Sequence, residues 1–390
     1  MKKVKAAVLV KPGQFEVREF PYPQIKDSHA LLKVELCGIC GTDKHIYKGE
    51  TTLYGGTTAE VSVPFPIILG HEIVGIIAEI GSQANKTLWF PPDQRITVGD
   101  RVVVCPDIPC GRCFYCQNYG GGGFIWCENI KTYGNNLSCK EPPYLFGGMA
   151  EYMVLLPGTF VCKVPETIKP ETAVLTELMA VTYNVDKAKE FYNIGGEGFK
   201  SGDTVVVQGV GPMGLMHIIK ARILGAGDII AIDSSEFRLG MAKEFGANYT
   251  INISKMSPKE RIEFVYDLTH GRGADLTIEC TGVPQAIIEG LELTRRGGMY
   301  IVAGVFVDTG DITLNPHRHI CAKNIRLLGQ TNHPPRGYLS SLKLFERYAS
   351  YFPPFERIIT HRFVIEDVEQ AFAQAMDAHS TMKVVLACSA

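Results

Sequence analysis

An α/β fold in two parts is what this sequence predicts: a β-rich domain and a doubly wound parallel-sheet domain. Three observations carry that prediction. The first third breaks into short apolar runs separated by turn residues. From about residue 204 strand-like runs alternate with helical ones, the pattern of right-handed βαβ units. At the first strand-to-helix turn of that region stands Gly209-Val210-Gly211-Pro212-Met213-Gly214, the G-x-G-x-x-G spacing of a dinucleotide-binding loop.

The elements follow in order. Residues 4–10, 30–36, 73–80 and 101–105 are rich in Val, Leu, Ile and Ala and predict strands. Residues 50–66 and 82–98 predict loops, and the run 120–123, four glycines, predicts flexible backbone or positive φ. Strands are then expected at 204–208, 229–232, 276–279 and 299–303, with helices at 213–224 and 237–245. A tail from about 335 predicts a helix at 338–351, a strand at 358–363, a helix at 365–378 and a last strand at 383–386.

Composition narrows the function classes. Of 390 residues, 46% are apolar and 21% charged, enough for two buried cores. The formal net charge of -2, with no basic run, removes the field that would gather nucleic acid. Residues 6–10 are too short an apolar stretch for a secretory signal, and no run approaches a membrane span, so the expected address is the cytoplasm. Twelve cysteines in such a chain argue for metal binding rather than disulfides.

Context strengthens the glycine motif. A strand precedes it, a helix follows, and Asp233 lies at the end of the next strand. Gly209 permits the turn, Gly211 lets the backbone approach a pyrophosphate, and Gly214 lets helix and strand pack closely. The helix N-terminus, with Pro212 and Met213 in its first turn, offers free N–H groups to phosphate. Asp233 would accept hydrogen bonds from ribose hydroxyls, which favours NAD over NADP; Arg238 nearby tempers that preference.

Metal chemistry reads from two further clusters. Cys37-Gly38-Ile39-Cys40-Gly41-Thr42-Asp43-Lys44-His45 and Gly70-His71-Glu72 place a thiol and an imidazole where a catalytic zinc could take them as two of its three protein ligands. The third is expected to be a distant Cys, Glu or Asp, with Glu177 the candidate. Cys110, Cys113, Cys116 and Cys127 match a closed tetrahedral zinc site in a lobe over about 105–140, with Cys139 held in reserve for Cys127.

Taken together, C-G-I-C-G-T-D-x-H, G-H-E, the cysteine cluster and G-x-G-x-x-G, in that order, resemble the zinc-containing medium-chain dehydrogenase/reductases, the alcohol, sorbitol and threonine dehydrogenase branch. The resemblance covers nearly the whole chain. It implies a GroES-like catalytic domain over 1–168, a Rossmann domain over 169–334 and a return to the catalytic domain over 335–390. It implies one catalytic and one structural zinc, and NAD. By the same resemblance Cys40 and His71 are ligands, Glu72 is a ligand or a neighbour of the metal, and Glu177 stands where simple alcohol dehydrogenases have Cys and polyol dehydrogenases Glu. Asp43 would orient His71, and Thr42 with His45 would relay a proton. Thr281 and Val305 resemble strand ends that border the nicotinamide. Lys383, where relatives often carry a basic residue, reads by itself as a surface lysine, and His333 receives no role. The expected reaction is oxidation of an alcohol, with polyols, sugars or amino-alcohols favoured, in a homodimer or homotetramer. A departure is the gap of eleven residues from Cys116 to Cys127, where the family has eight. The competing readings are a simple alcohol dehydrogenase, a zinc-free reductase of the same superfamily, or a non-catalytic NAD redox sensor.

Overall fold

The computed structural model describes residues 2–50, 52–120 and 124–389. Of the glycine run, Gly120 adopts φ +55, whereas Gly121, Gly122 and Gly123 lie outside the described residues. The chain folds as two compact units. One comprises Met1–Ala180, His333–Asp377 and Lys383–Ala390; the other comprises Val181–Asn332 and Ala378–Met382. The division falls after Ala180, so the helix Pro170–Ala173 and all but the last residue of Thr176–Val181 belong to the first unit.

The first unit is built on a seven-stranded sheet. Its central strand, Ala30–Gly38, lies between Glu72–Ile80 and Lys383–Ala387 and also pairs with Tyr152–Leu155. Most side chains of Ala30–Gly38 are buried; the half-buried Lys33 and Glu35 alternate with the buried Leu32, Val34 and Leu36. A second sheet joins Gln14–Pro21, Lys3–Lys11 and Ile67–Ile68. The last strand of the chain reaches the central strand in antiparallel register, Leu386 opposite Cys37 and Val385 opposite Gly38. That pairing carries Lys383, at the start of the strand, toward the segment around Cys40.

The second unit is a six-stranded, wholly parallel sheet in the order Tyr249–Asn252, Asp228–Asp233, Thr204–Gln208, Ala274–Glu279, Thr294–Val302, Arg326–Gly329. Val205, Val206 and Val207 are fully buried, as a central strand covered on both faces requires. The order reverses on either side of Thr204–Gln208, so the crevice for a ligand lies at the carboxyl end of that strand.

Several elements escaped the sequence reading. The helix Gly41–Lys48 is too short to show a period, and the helices Pro258–Leu268 and Pro284–Leu293 follow Ser257-Pro258 and Val283-Pro284 starts that went unread. The loop expected over 50–66 contains the two-residue strands Thr52–Leu53 and Val61–Ser62, and that over 82–98 the short helix Ala84–Thr87. Among the described residues no helix is long and apolar enough to cross a membrane.

Candidate functional site

In the first unit a strand end feeds directly into a helix. Cys40 is the N-cap of Gly41–Lys48, with extended backbone. Asp43, three residues on, closes a capping box: its Oδ2 accepts the Cys40 N–H at 2.8 Å. Its Oδ1 accepts the Gly70 N–H at 3.2 Å and lies 3.4 Å from His71 Nδ1. One fully buried carboxylate therefore ties together the two segments that carry Cys40 and His71. Burial works against a charge on the His71 imidazole, but Asp43 and the adjacent Cys40 sulfur outweigh it and raise its pKa well above the ordinary value.

Two further carboxylates are buried nearby. Glu72, fully buried, pairs with Lys383, whose side chain is 1% exposed. Gly38 makes room for Glu72: a Cβ there would stand 1.9 Å from Glu72 Oε2. Lys383 also donates to the Ile39 carbonyl at 2.9 Å. Burial works against the charge on Lys383, yet Glu72 and the Cys40 sulfur raise its pKa above the usual lysine value. The reading of Lys383 as a surface lysine is corrected here. The strand Lys383–Ala387 lies inside its sheet, so its first side chain has no route to water.

Glu177 sits in the first turn of Thr176–Val181, where the helix dipole favours a negative charge. His333 Nε2 lies 3.0 Å from its Oε1, and both residues are buried. Burial opposes ionisation of Glu177, but the His333 contact outweighs it and holds the carboxyl below its ordinary pKa. His333 and Lys383 are the two residues of this region whose importance was not legible. No local motif surrounds either, and both arrive from the chain's distant tail.

The donors Cys40, His71, Glu72 and Glu177 thus offer a thiol, an imidazole and two carboxylates, Cys40 half-buried and the others buried, donor types that suit zinc. Glu72 Oε1 is buried with no hydrogen-bond partner among the described residues, as a group facing a cation would be. Thr42 Oγ1 lies 3.8 Å from Cys40 Sγ, and His45 Nδ1 lies 2.8 Å from Glu50 Oε2 on the exposed end of the same helix.

The second cluster is assembled. The ligand atoms of Cys110, Cys113, Cys116 and Cys127 all lie within 4.8 Å of one another; among the described residues no other set of three or more His, Cys, Asp or Glu does so. Backbone N–H groups point at the sulfurs. The Cys116 N–H is the main reason the Cys113 thiol is held down to about 6, and the Arg112 N–H lowers Cys110. Burial pushes Cys127 up to about 12 although the Cys110 N–H reaches its sulfur at 3.2 Å. Four sulfurs with the N–H groups needed to stabilise thiolates fit a structural zinc. Cys139 is buried elsewhere, its N–H bonded to the Pro66 carbonyl.

In the second unit Gly209 adopts φ +80 at the end of Thr204–Gln208, and Gly211 is the N-cap of the helix Pro212–Ile223, with Met213 in its first turn. A Cβ on Gly214 would come within 1.9 Å of the Gly209 carbonyl oxygen, so helix and turn meet as closely as the motif implies. Asp233 Oδ2 accepts the Val210 N–H at 2.8 Å and Oδ1 the Ser235 N–H at 2.9 Å, which fixes its carboxylate beside the turn. Arg238 stands near Gly211, 3.5 Å from where a Cβ would be, and donates to the Thr381 carbonyl at 3.2 Å. Thr281 follows the strand Ala274–Glu279, and Val305 follows Thr294–Val302, both at the carboxyl edge of the sheet.

Known proteins resemble this chain over its whole length. Residues 26–166 match the alcohol dehydrogenase GroES-like domain, and residues 212–341 match the zinc-binding dehydrogenase domain. A 5-exo-hydroxycamphor dehydrogenase of Pseudomonas putida is 32% identical over 99% of both chains. An erythritol/L-threitol dehydrogenase of Mycolicibacterium smegmatis is 31% identical over 98% of this chain and 97% of its own. The crystal structure of an alcohol dehydrogenase from Thermotoga maritima superposes with a TM-score of 0.85 at 32% identity, covering 99% of this chain and 100% of that one. With its GroES-like unit, its parallel-sheet unit and its cysteine lobe, the chain belongs to the zinc-containing medium-chain alcohol dehydrogenases, oxidoreductases that act on CH–OH groups.

Proposed function

We propose that this enzyme oxidises a hydroxyl-rich alcohol, a polyol, sugar or amino-alcohol, to a ketone or aldehyde by transferring hydride to NAD. The observation that carries the reading is the donor set Cys40, His71, Glu72 and Glu177, in which Asp43 ties the segments of Cys40 and His71 together. Cys40, His71 and Glu177 would hold the catalytic zinc. Glu72 would stay beside it, its charge met by Lys383. The zinc would supply a Lewis acid that brings the pKa of a hydroxyl toward neutrality. Asp43 would hold the His71 ring in one orientation. Thr42 would take the hydroxyl proton and pass it toward His45, which is in contact with Glu50 and with solvent. Cys110, Cys113, Cys116 and Cys127 would hold a structural zinc that fixes the lobe.

Gly209, Gly211, Pro212, Met213 and Gly214 would cradle the pyrophosphate, with Thr281 and Val305 at the nicotinamide end. Asp233 supports NAD, since a 2′-phosphate would meet its carboxylate; Arg238, close to Gly211, would moderate that exclusion. A carboxylate at 177 in place of a thiol, together with the likeness to a tetritol dehydrogenase, supports the hydroxyl-rich substrate. A homodimer or homotetramer in the cytoplasm is the expected assembly. Support comes from the strand Arg326–Gly329, at the edge of its sheet, which carries Leu327 44% exposed.

The test is a panel of alcohols, tetritols to hexitols against simple primary and secondary alcohols, assayed with NAD and NADP side by side on enzyme of measured zinc content. The expected outcome is two zinc per chain, with kcat/KM highest for a polyol and NAD. Reduction of activated double bonds by a protein with less than one zinc per chain would overturn the reading.

A further inference from the structure

At the carboxyl edge of the parallel sheet stands an acidic side chain that has no ion pair among the described residues. Glu279, the last residue of Ala274–Glu279, is fully exposed to protein and not at all to water. Its Oε1 accepts the Gly282 N–H at 2.7 Å, the Thr281 hydroxyl at 2.6 Å and the Thr281 N–H. Its Oε2 accepts the Gly304 N–H at 3.0 Å. Its own carbonyl takes the N–H groups of Ala303 and Gly304 as well, each at 3.0 Å. A buried carboxylate without a counter-charge is tolerated only when donors surround it, and here all four donors come from two loops.

Those loops are the ones that follow Ala274–Glu279 and Thr294–Val302. They meet so closely that a Cβ on Gly304 would lie 2.6 Å from the Gly282 nitrogen and 2.8 Å from Glu279 Oε2. The first of them also reaches the dinucleotide turn, since a Cβ on Gly209 would lie 2.7 Å from Thr281 Cγ2. The Cys280 N–H adds a bond to the Gln208 carbonyl, 2.8 Å away. Three strand ends that border a crevice for dinucleotide are therefore set in register around one side chain.

We infer that Glu279 is a positioning residue: it fixes the two loops that form the nicotinamide end of the dinucleotide site while leaving the adenosine end untouched. This rests on the dinucleotide reading above. The geometry separates the two ends, because Asp233 and the helix Pro212–Ile223 hold the adenosine and pyrophosphate side through bonds that do not involve Glu279. A glutamine keeps the volume but turns an acceptor into a donor facing N–H groups, so at least one bond becomes a repulsion and the loops part.

The experiment titrates wild-type, Glu279→Gln and Gly304→Ala enzyme with NADH and with ADP-ribose, which has the same adenosine diphosphate half and no nicotinamide. NADH is followed by its fluorescence and ADP-ribose by calorimetry. The expected result is ADP-ribose affinity within about twofold of wild type, NADH affinity weakened about tenfold or more, and a smaller fluorescence gain for bound NADH. Equal weakening of both ligands, or unchanged NADH binding in both variants, would overturn the inference. Retained ADP-ribose binding also certifies that the variant is folded; if Glu279→Gln is not, Gly304→Ala opens the same contact from the other loop. If wild-type enzyme binds neither ligand, it is the dinucleotide reading that fails, and the two failures are told apart.

Discussion

At the cysteine lobe four sulfurs already lie within 4.8 Å of one another, whereas around Cys40 and His71 the carboxylates meet other side chains of the chain itself, Glu72 the ammonium of Lys383 and Glu177 the imidazole of His333. The lobe draws its donors from a single stretch, Cys110 to Cys127, and stabilises them with N–H groups of that same stretch. The other cluster draws on segments near residues 40, 71, 177, 333 and 383, so only the packed unit can bring them together. A closed site can be local because its one task is to saturate a metal with like donors. A reactive site must leave a position open, so it needs unlike donors whose charges are balanced from outside.

The comparison breaks most visibly at Cys40. Replacing it with serine should cut kcat by about a thousandfold or more, since a Lewis acid contributes several kcal/mol to such a barrier. NADH affinity should stay within about twofold. Steady-state kinetics and a fluorescence titration check both, and turnover near wild type would remove Cys40 from the reactive centre. Cys113→Ser addresses the other cluster. It should release one zinc per chain and lower the thermal midpoint by about 10 °C, because losing roughly 4 kcal/mol moves a unit of this size by that much. An unchanged zinc count by elemental analysis would show the four sulfurs to be free thiols.

A third pair of variants sharpens the asymmetry between the two carboxylates. Glu177→Gln should weaken zinc retention about tenfold to a hundredfold in a chelator competition, whereas Glu72→Gln should change it by less than about threefold. The reverse order would make Glu72 the resident ligand and Glu177 the neighbour.

The smallest effect concerns a buried histidine outside both clusters. His217 is fully buried on the helix Pro212–Ile223, bonded to the Met213 carbonyl at 2.8 Å and to Asn184 at 3.1 Å, and burial lowers its pKa to about 4. Above its ordinary pKa near 6.5 both folded and unfolded chains carry it neutral, and the shift has no effect on stability. Below 6.5 the unfolded chain takes a proton that the folded one refuses, so stability falls as pH drops toward 4. Between pH 6.5 and pH 5 the loss is roughly 1.5 kcal/mol from this residue. His217→Gln should flatten that part of the thermal-midpoint profile, and an unaltered slope would mean that another group carries it.

Much of the site was legible because its chemistry is local. Cys40, Thr42, Asp43 and His45 share one helical turn and its cap, and Gly209 to Gly214 share one loop. Spacing along the chain fixes their neighbours within a few ångströms, whatever the rest of the fold does. The parallel sheet was legible for a similar reason: a strand such as Thr204–Gln208, buried on both faces, carries an unbroken apolar middle, Val205 to Val207. The short helix Gly41–Lys48 was not, since two turns give no measurable period and its Cys40 cap is not among the usual capping residues.

By itself, then, the sequence determined the family, the two-part architecture, the cysteine tetrad and the dinucleotide turn, all of which depend on contacts between near neighbours. Only the tertiary structure decided where the chain divides, that Lys383 is buried against Glu72, that His333 meets Glu177, and that Glu279 ties two strand ends together. Each of those contacts joins residues far apart in the chain or in separate loops. Burial then makes the pairing of their charges and hydrogen bonds obligatory, and no spacing in the sequence records which partner will be met.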